Sequence, residues 1–211
     1  MVENIKITTF SRYVQVSRET ITSLKKFEKK LIKSNKNLNL IGKSTINNIW
    51  IRHFLDSAQA IDFVDEKCKT IVDLGAGAGF PGVVLSMIAK DRKIPLKIKL
   101  IEKSPKKSNF LKGIIKEFNL KAEVININIL QGVNFLTGDV FVARAFKPLA
   151  EILELMHRNG KNWKKMILFL GKTGKRDLHE VSKIWDIEYK EKASVTSNDS
   201  IILKISKLKK I

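Results

Sequence analysis

Three side chains with chemical capability stand at the ends of short apolar runs: Asp73 in TIVDL, Glu102 in KIKLIE and Arg144 in DVFVAR. Between the first two lies IVDLGAGAGFPG at 71–82, with four glycines in eight positions from Gly75 to Gly82. Glycines after a strand adopt φ > 0 and let a ligand lie against the main chain. A carboxylate at the strand end suits a cation, directly or through water. One at the next strand end, Glu102, can accept both hydroxyls of a ribose.

Two spellings of the loop compete. Gly77 to Gly82 satisfies G-x-G-x-x-G, the dinucleotide pattern, whereas Asp73 to Gly79 satisfies D-x-G-x-G-x-G, the loop of S-adenosylmethionine (AdoMet) methyltransferases. A dinucleotide brings a pyrophosphate to the helix N-terminus, where Asp73 is unhelpful. Gly77 also lies three residues beyond Leu74, too late for the fingerprint. Pro81 has no N–H to offer a phosphate but is natural as the first residue of a helix. AdoMet brings an ammonium, a carboxylate and a sulfonium, and free N–H groups near the helix start suit its carboxylate. Asp73, Gly75, Gly77, Gly79, Phe80 and Glu102 therefore read as cofactor-binding. Backbone groups around Asn126 to Ile129, in the loop between Ile127 and Leu136, are expected at an adenine.

The 211 residues accommodate one α/β domain with an appendage. Residues 1–65 read as an N-terminal helical cap and 66–211 as the AdoMet-binding domain. Ser17 caps a helix carrying Ile21, Leu24, Phe27 and Leu31, which KSNKNLN ends. A second helix starts near Ser44 with Ile46, Ile49, Trp50, Phe54 and Ile61 on one face. From residue 70 strands and helices alternate: TIVDL, the helix PGVVLSMIAK, KIKLIE, a helix capped by Ser104 with Pro105 first, AEVINI, DVFVAR, a helix around LAEILELM, and KMILFL. A hairpin from about Ile187 to Ile205, joined by SNDS, closes the sheet. An antiparallel closing strand tilts the reading toward the methyltransferase variant of the doubly wound sheet.

Forty Lys+Arg against 21 Asp+Glu give a formal net charge of +19, which points to a polyanionic partner such as nucleic acid. Thirty-three of the forty are lysine, so the attraction is to phosphate rather than to base edges. The single cysteine, Cys68, excludes an internal disulfide and leaves no Cys/His cluster for a metal. No continuous apolar stretch of membrane length or secretory layout is present, so a cytoplasmic protein is expected.

NLNLIGKSTINNIWIRHFLDS (37–57), VDLGAGAGFPG (72–82), LIEKSPKKSNFL (100–111), ARAFKPL (143–149) and LFLGKTGK (168–175) together resemble the bacterial 16S rRNA guanine-N7 methyltransferase family, RsmG or GidB. The resemblance spans most of the chain. It implies a Rossmann-like α/β fold with a mixed seven-stranded sheet, helices on both faces and an N-terminal helical cap. The implied reaction is methyl transfer from AdoMet to N7 of the guanine conventionally numbered 527, in the decoding-region loop of small-subunit rRNA. The implied partner is 16S rRNA, free or within the small subunit or its precursor, with a monomeric enzyme and no obligate protein partner. Guanine N7 is an unprotonated lone pair and needs no general base; the sequence shows none. Cys68 lies before the first strand, away from the ends where a C5-methylating nucleophile would sit. ARAF stands where exocyclic-amine methyltransferases carry an Asn/Asp-Pro-Pro-aromatic motif. The alternatives are a nicotinamide-dependent oxidoreductase, from Gly77 to Gly82, and a non-catalytic RNA-binding module, from the charge.

The matching family arginine lies in the active-site region, which makes Arg144 a catalytic and cofactor-side candidate; a structural ion pair with a loop carboxylate is the plain alternative. Lys172 resembles a family lysine after the fifth strand, which makes it the second catalytic candidate beside Arg144 and an expected phosphate contact, with Lys175 as the other placement because LGK stands where LKG is frequent. His53 and Asp56 are three apart on a helix and close enough to bond. With Arg52 they are expected to fix the cap at the cofactor mouth, Asp56 lining it. Lys106 and Lys107 open a helix where cations oppose the dipole, which points to an RNA ligand or to a solvated basic face. Arg52, Lys106, Lys107, Lys172 and Lys175 are the RNA-contact candidates. Trp50, Trp163 and Trp185 are expected in the core rather than on bases.

Overall fold

The computed structural model describes residues 2–131 and 136–211. Helices α1 (Val2–Tyr13) and α2 (Arg18–Leu38) lead the chain. Ser17 caps α2, its Oγ accepting from the Thr20 N–H, and Leu24, Phe27 and Leu31 are buried at helical spacing. KSNKNL belongs to the helix instead of ending it. Its Asn35 is buried and holds the exit, accepting from the Ile41 N–H at 2.9 Å and donating to the Ile41 carbonyl at 3.2 Å.

Residues 43–63 do not form the one regular helix expected from Ser44. A 3₁₀ segment (Lys43–Asn48), a π turn (Trp50–Leu55), one α turn (Asp56–Ala58) and a second 3₁₀ segment (Gln59–Phe63) follow each other. The wide turn buries Trp50, His53, Phe54 and Leu55 together. Such insertions concentrate at functional sites, and this one sits against the cavity described below.

The main sheet contains β1 (Thr70–Leu74), β2 (Lys97–Ile101), β3 (Ala122–Ile125), β4 (Val140–Arg144), β5 (Lys165–Leu170), β6 (Trp185–Ala193) and β7 (Ile201–Lys210). Their spatial order is β3-β2-β1-β4-β5-β7-β6. The first five are parallel; β7 pairs antiparallel with β5 and with β6. This is the expected seven-stranded mixed sheet. The closing hairpin is longer than its apolar residues indicated, because exposed lysines continue β7 to Lys210.

Helices α3 (Gly82–Asp91) and α4 (Pro105–Phe118) cover one face of the sheet, α5 (Leu149–Asn159) and α6 (Gly174–Val181) the other. Polar GKRDLHEV hid α6, of which Gly174, Leu178 and Val181 are buried. A two-residue parallel bridge, Leu136–Thr137 with Gly160–Lys161, is also absent from the sequence reading. Two cores result. Ile71, Ile98, Val140, Val142 and Ile167 face α2, α3 and the 43–63 segment, while Val72, Leu74, Phe141, Ala143 and Met166 face α5 and α6.

That alternation decides where the chemistry goes. With a period of two, Asp73 shares a face with Ile71, and Arg144 with Val142. Both side chains therefore turn toward the N-terminal helices. Trp50 and Trp185 are buried and Trp163 packs on the second core, which explains all three indoles structurally.

Candidate active site

The strand order reverses between β1 and β4, and open α/β sheets bind ligands at the carboxyl ends of such a pair. A cavity of about 390 Å³ opens there. Residues 75–78 form its floor and Ile127, Ile129 and Leu130, with Asn128 between them, a largely apolar wall; Glu102, Lys103 and Lys107 stand on one side and 144–147 on the other. From the N-terminal helices, residues 40–42 and His53 complete it.

The glycine loop is tightly self-bonded. Gly79 and Phe80 donate to the Ala76 carbonyl, Ala76 donates to that of Ile101, and Gly77 donates to Glu102 Oε2 at 2.9 Å. The Gly82 N–H reaches Asp73 Oδ2 at 2.8 Å. Thus the N–H groups at the helix start, expected free for a carboxylate, already have acceptors inside the protein. The same count speaks against the dinucleotide spelling, since between Gly77 and Gly82 the N–H groups of Gly77, Gly79, Phe80 and Gly82 are occupied and Pro81 has none. Pro81 also differs from expectation: it is the N-cap, and α3 begins at Gly82 because that N–H is what Asp73 holds. A Cβ on Gly82 would lie 2.6 Å from Asp73 Oδ2, so glycine permits the contact.

Asp73 is fully buried and does not line the cavity, which corrects its placement at a cofactor cation. It acts on the loop from beneath. Its Oδ1 has no hydrogen-bond partner among the described residues, and burial pushes the carboxyl up to about 7, against the Gly82 hydrogen bond and the Arg144 charge. The folded chain therefore holds a proton on Asp73 that the unfolded chain, titrating at 3.8, releases. Stability from this group is lost as pH rises from about 4 to about 7. Asp73→Asn is expected to remove that loss. His53 contributes an opposite slope below 6.5, so the difference between variant and parent in denaturant titrations from pH 4 to 8 is the measurement. A constant difference would show that Asp73 does not titrate in this range.

Gly75 holds φ 71°, and a Cβ there would sit 2.2 Å from Phe146 Cδ2. Gly75→Ala is expected to cost about 1–2 kcal/mol from the left-handed backbone alone and to push Phe146 into the cavity. A melting temperature lower by several degrees with weakened AdoMet binding would show it; an unchanged melt would place the strain elsewhere. Gly77 also has positive φ and lines the floor, whereas Gly79 packs on Val83 outside the lining.

Glu102 is 6% exposed and stands on the cavity wall, with Oε2 accepting from Gly77 and Oε1 from the Ser104 N–H at 2.7 Å. Each oxygen keeps a lone pair for a ligand hydroxyl. Asn126 does not line the cavity as expected; its Nδ2 donates to the Glu102 carbonyl at 2.7 Å, and the lining starts one residue later. Residues 132–135 of the expected adenine loop lie outside the described residues.

Arg144 stands between the cavity and a smaller depression that Arg52, Asp56, Gly171 and Ser194 help to form. Its Nε donates to Asp56 Oδ2 at 2.7 Å, Nη2 to the Arg52 carbonyl at 2.6 Å, and Nη1 lies 3.2 Å from His53 Nδ1. The ion pair weighed as the plain alternative is thus present, and it also fixes the guanidinium at the cavity edge. His53 and Asp56 are bridged by Arg144 rather than bonded to each other. His53 Nδ1 must accept, which leaves Nε2–H for Thr45 Oγ1 at 2.8 Å. Burial first, then the Arg144 charge, hold this imidazole down at about 3. Neutral His53 stacks on Phe80 at 4.9 Å between centroids, and Phe80 in turn packs against Phe27 and Phe54. Asp56 lines the depression, not the cavity, and its Oδ1 accepts from Thr196 Oγ1 at 2.7 Å and Ser194 Oγ at 3.2 Å.

The RNA-contact candidates divide. Lys107 lines the cavity; Lys106, Lys172 and Lys175 are exposed outside it, and Arg52 borders the depression. Lys175 lies 4.0 Å from Glu191. Sequence reasoning missed Lys103, Lys147, Phe146, Thr45, Ser194 and Thr196. For Phe146 and Lys147 the signal existed, since both continue the ARAFKPL block past Arg144. Cys68 is buried before β1, where burial and then Asp139 push its thiol up to about 11.

The family model for rRNA small subunit methyltransferase G, GidB, matches residues 20–204. A ribosomal RNA small subunit methyltransferase G of Pelagibacter ubique is 41% identical over 197 residues, covering 92% of this chain and 92% of its own. One of Rickettsia akari is 35% identical over 198 residues, covering 94% and 100%. Among solved structures, the 16S rRNA methylase RmtB shares the fold with a TM-score of 0.56 and 15% identity over 95% of this chain and 80% of that one. TYW2 of M. jannaschii, solved in complex with AdoMet, shares it with a TM-score of 0.51 and 17% identity over 72% and 74%.

Proposed function

Because the chain belongs to the GidB family, rRNA small subunit methyltransferase G, we propose that it transfers a methyl group from AdoMet to N7 of a guanine in 16S rRNA, at the position conventionally numbered 527. The cavity supports that cofactor. Glu102 offers two carboxylate oxygens to a ribose, residues 127–130 offer apolar contact to a base, and the volume of about 390 Å³ falls in the range of small-molecule sites. The chemistry supplied by AdoMet, when bound, is an electrophilic methyl group on sulfur.

The observation that carries the acceptor class is the character of the titratable groups at the cavity. Glu102 accepts from two backbone N–H groups, His53 is too weak a base with a pKa of about 3, and the others are Lys103, Lys107, Arg144 and Lys147. That set suits an acceptor that brings its own lone pair, as guanine N7 does. The chain then contributes position and electrostatics. Arg144 is a fixed donor at the acceptor side, and Asp56 neutralises it so that a permanent cation can stand near a sulfonium. Residues 66–211 supply most of the cofactor cavity, and 1–65 add residues 40–42, His53 and the arginine's acceptors. The proposed setting is the cytoplasm, with a monomer acting on 16S rRNA, free or within the small subunit or its precursor; the relatives named for small-subunit rRNA support that partner.

Labelled AdoMet and small-subunit particles from a strain lacking the modification test the proposal. Label at one guanine N7 is expected. No label on particles or on naked 16S rRNA would remove it.

A further inference from the structure

Helix α2 carries its apolar stripe, Leu24, Phe27 and Leu31, into the core. At 100° per residue, Lys26, Lys29, Lys33 and Lys36 fall on the opposite side, and all four are exposed. Their successive spacings of three, four and three residues make each the helical neighbour of the next, so every adjacent pair is repulsive. Glu28 is the single acid between Ser23 and Leu38, and its Oε2 accepts from Trp50 Nε1 at 2.8 Å, away from the lysine face. Lys30, off the stripe, is the lysine of this helix that pairs, with Glu117. Among the described residues no carboxylate lies within ion-pair distance of the four.

The stripe leads toward the site. It covers about 15 Å of helix and ends two residues before Leu38, the last helical residue. After Asn39 turns the chain, residues 40–42 line the cavity, held there by the Asn35 amide on Ile41.

We propose that the outer face of α2, Lys26, Lys29, Lys33 and Lys36, is a track for the phosphodiester backbone of the RNA flanking the methylated nucleotide. This rests on the reading of the protein as an rRNA methyltransferase. Lysine is a strongly hydrated point charge and fits phosphate attraction without base reading. Occupancy by RNA relieves the repulsion along the helix and orients the strand toward the cavity mouth. AdoMet has no part in it.

The test is methyl transfer to small-subunit particles over a series of salt concentrations, with the four lysines changed together to glutamine. Glutamine keeps helix propensity near that of lysine, so the melt should not fall. With four contacts at about 0.7 each, the slope of log KM against log salt is expected to drop by about 3, with kcat in saturating substrate and calorimetric AdoMet affinity unchanged. A control variant removes the same charge at the amino edge of the sheet: Lys67, Lys69, Lys93 and Lys121, all exposed, to glutamine. Its slope should change by less than about 1. Equal slopes for the two variants, or a loss confined to kcat, would overturn the track while leaving the methyltransferase reading intact. A parent protein that labels no rRNA would overturn the reading itself.

Discussion

Glu102→Ala is expected to weaken AdoMet binding about 100-fold or more while the chain stays folded. The carboxylate makes charge-assisted bonds to the Gly77 and Ser104 N–H groups at 2.9 and 2.7 Å. Such bonds contribute about 1.5–3 kcal/mol each, and every 1.4 kcal/mol is about tenfold in affinity. Part of the loss falls on folding, because two N–H groups lose their acceptor. The rest falls on the ligand, whose hydroxyls lose a charged acceptor on a wall that is only 6% exposed. Glu102→Gln should rescue little. Both oxygens accept, so an amide turned either way points an NH₂ at a backbone donor. Calorimetry with AdoMet, alongside thermal melts, gives the answer. Affinity within threefold of the parent in a folded alanine variant would mean that the cofactor does not use this wall.

The positions of Asp73, Glu102 and Arg144 at or within one residue of the ends of three neighbouring strands were legible because each stands at the close of a strand-forming run, before a glycine-rich or polar segment. What each side chain does there was less legible. Asp73 and Arg144 share a sheet face, so alternation does not separate them; Asp73 lies under the loop because it stands one residue before the end of β1 and its Oδ2 holds the Gly82 N–H, a contact across nine residues that no local pattern reports. Asn126 and Pro81 missed by one residue, the scale on which a side-chain bond or a helix start decides the local frame. The 43–63 segment was legible as helical from Ile49, Trp50 and Phe54. Its π turn was not, since widening the helix leaves the apolar spacing almost unchanged. Ser194 and Thr196 reach Asp56 from 138 and 140 residues away, and no local pattern reports such a contact.

Arg144 carries the second large effect. Both Arg144→Ala and Arg144→Lys are expected to lower methyl transfer by about 10²–10³ with AdoMet affinity changed only a few-fold, the magnitude typical of losing one preorganised donor. Lysine fails because the three acceptors, Asp56 Oδ2, His53 Nδ1 and the Arg52 carbonyl, lie on three different guanidinium nitrogens; one ammonium cannot span them. The alanine variant also exposes the structural share of the pair. Its two side chains keep 17% and 14% of their exposure, so the cost belongs below the ~3–5 kcal/mol of a fully buried pair, at about 2 kcal/mol. For a chain of 211 residues that lowers the melt by about 4–8 °C. Stability and turnover then separate the two roles. Asp56→Asn should lower the melt by a comparable amount yet retain more turnover than either arginine variant, because the guanidinium keeps His53 and the Arg52 carbonyl. If Asp56→Asn instead loses as much turnover as Arg144→Ala, the pair acts as one unit, with neutralisation of the guanidinium as important to the reaction as its position.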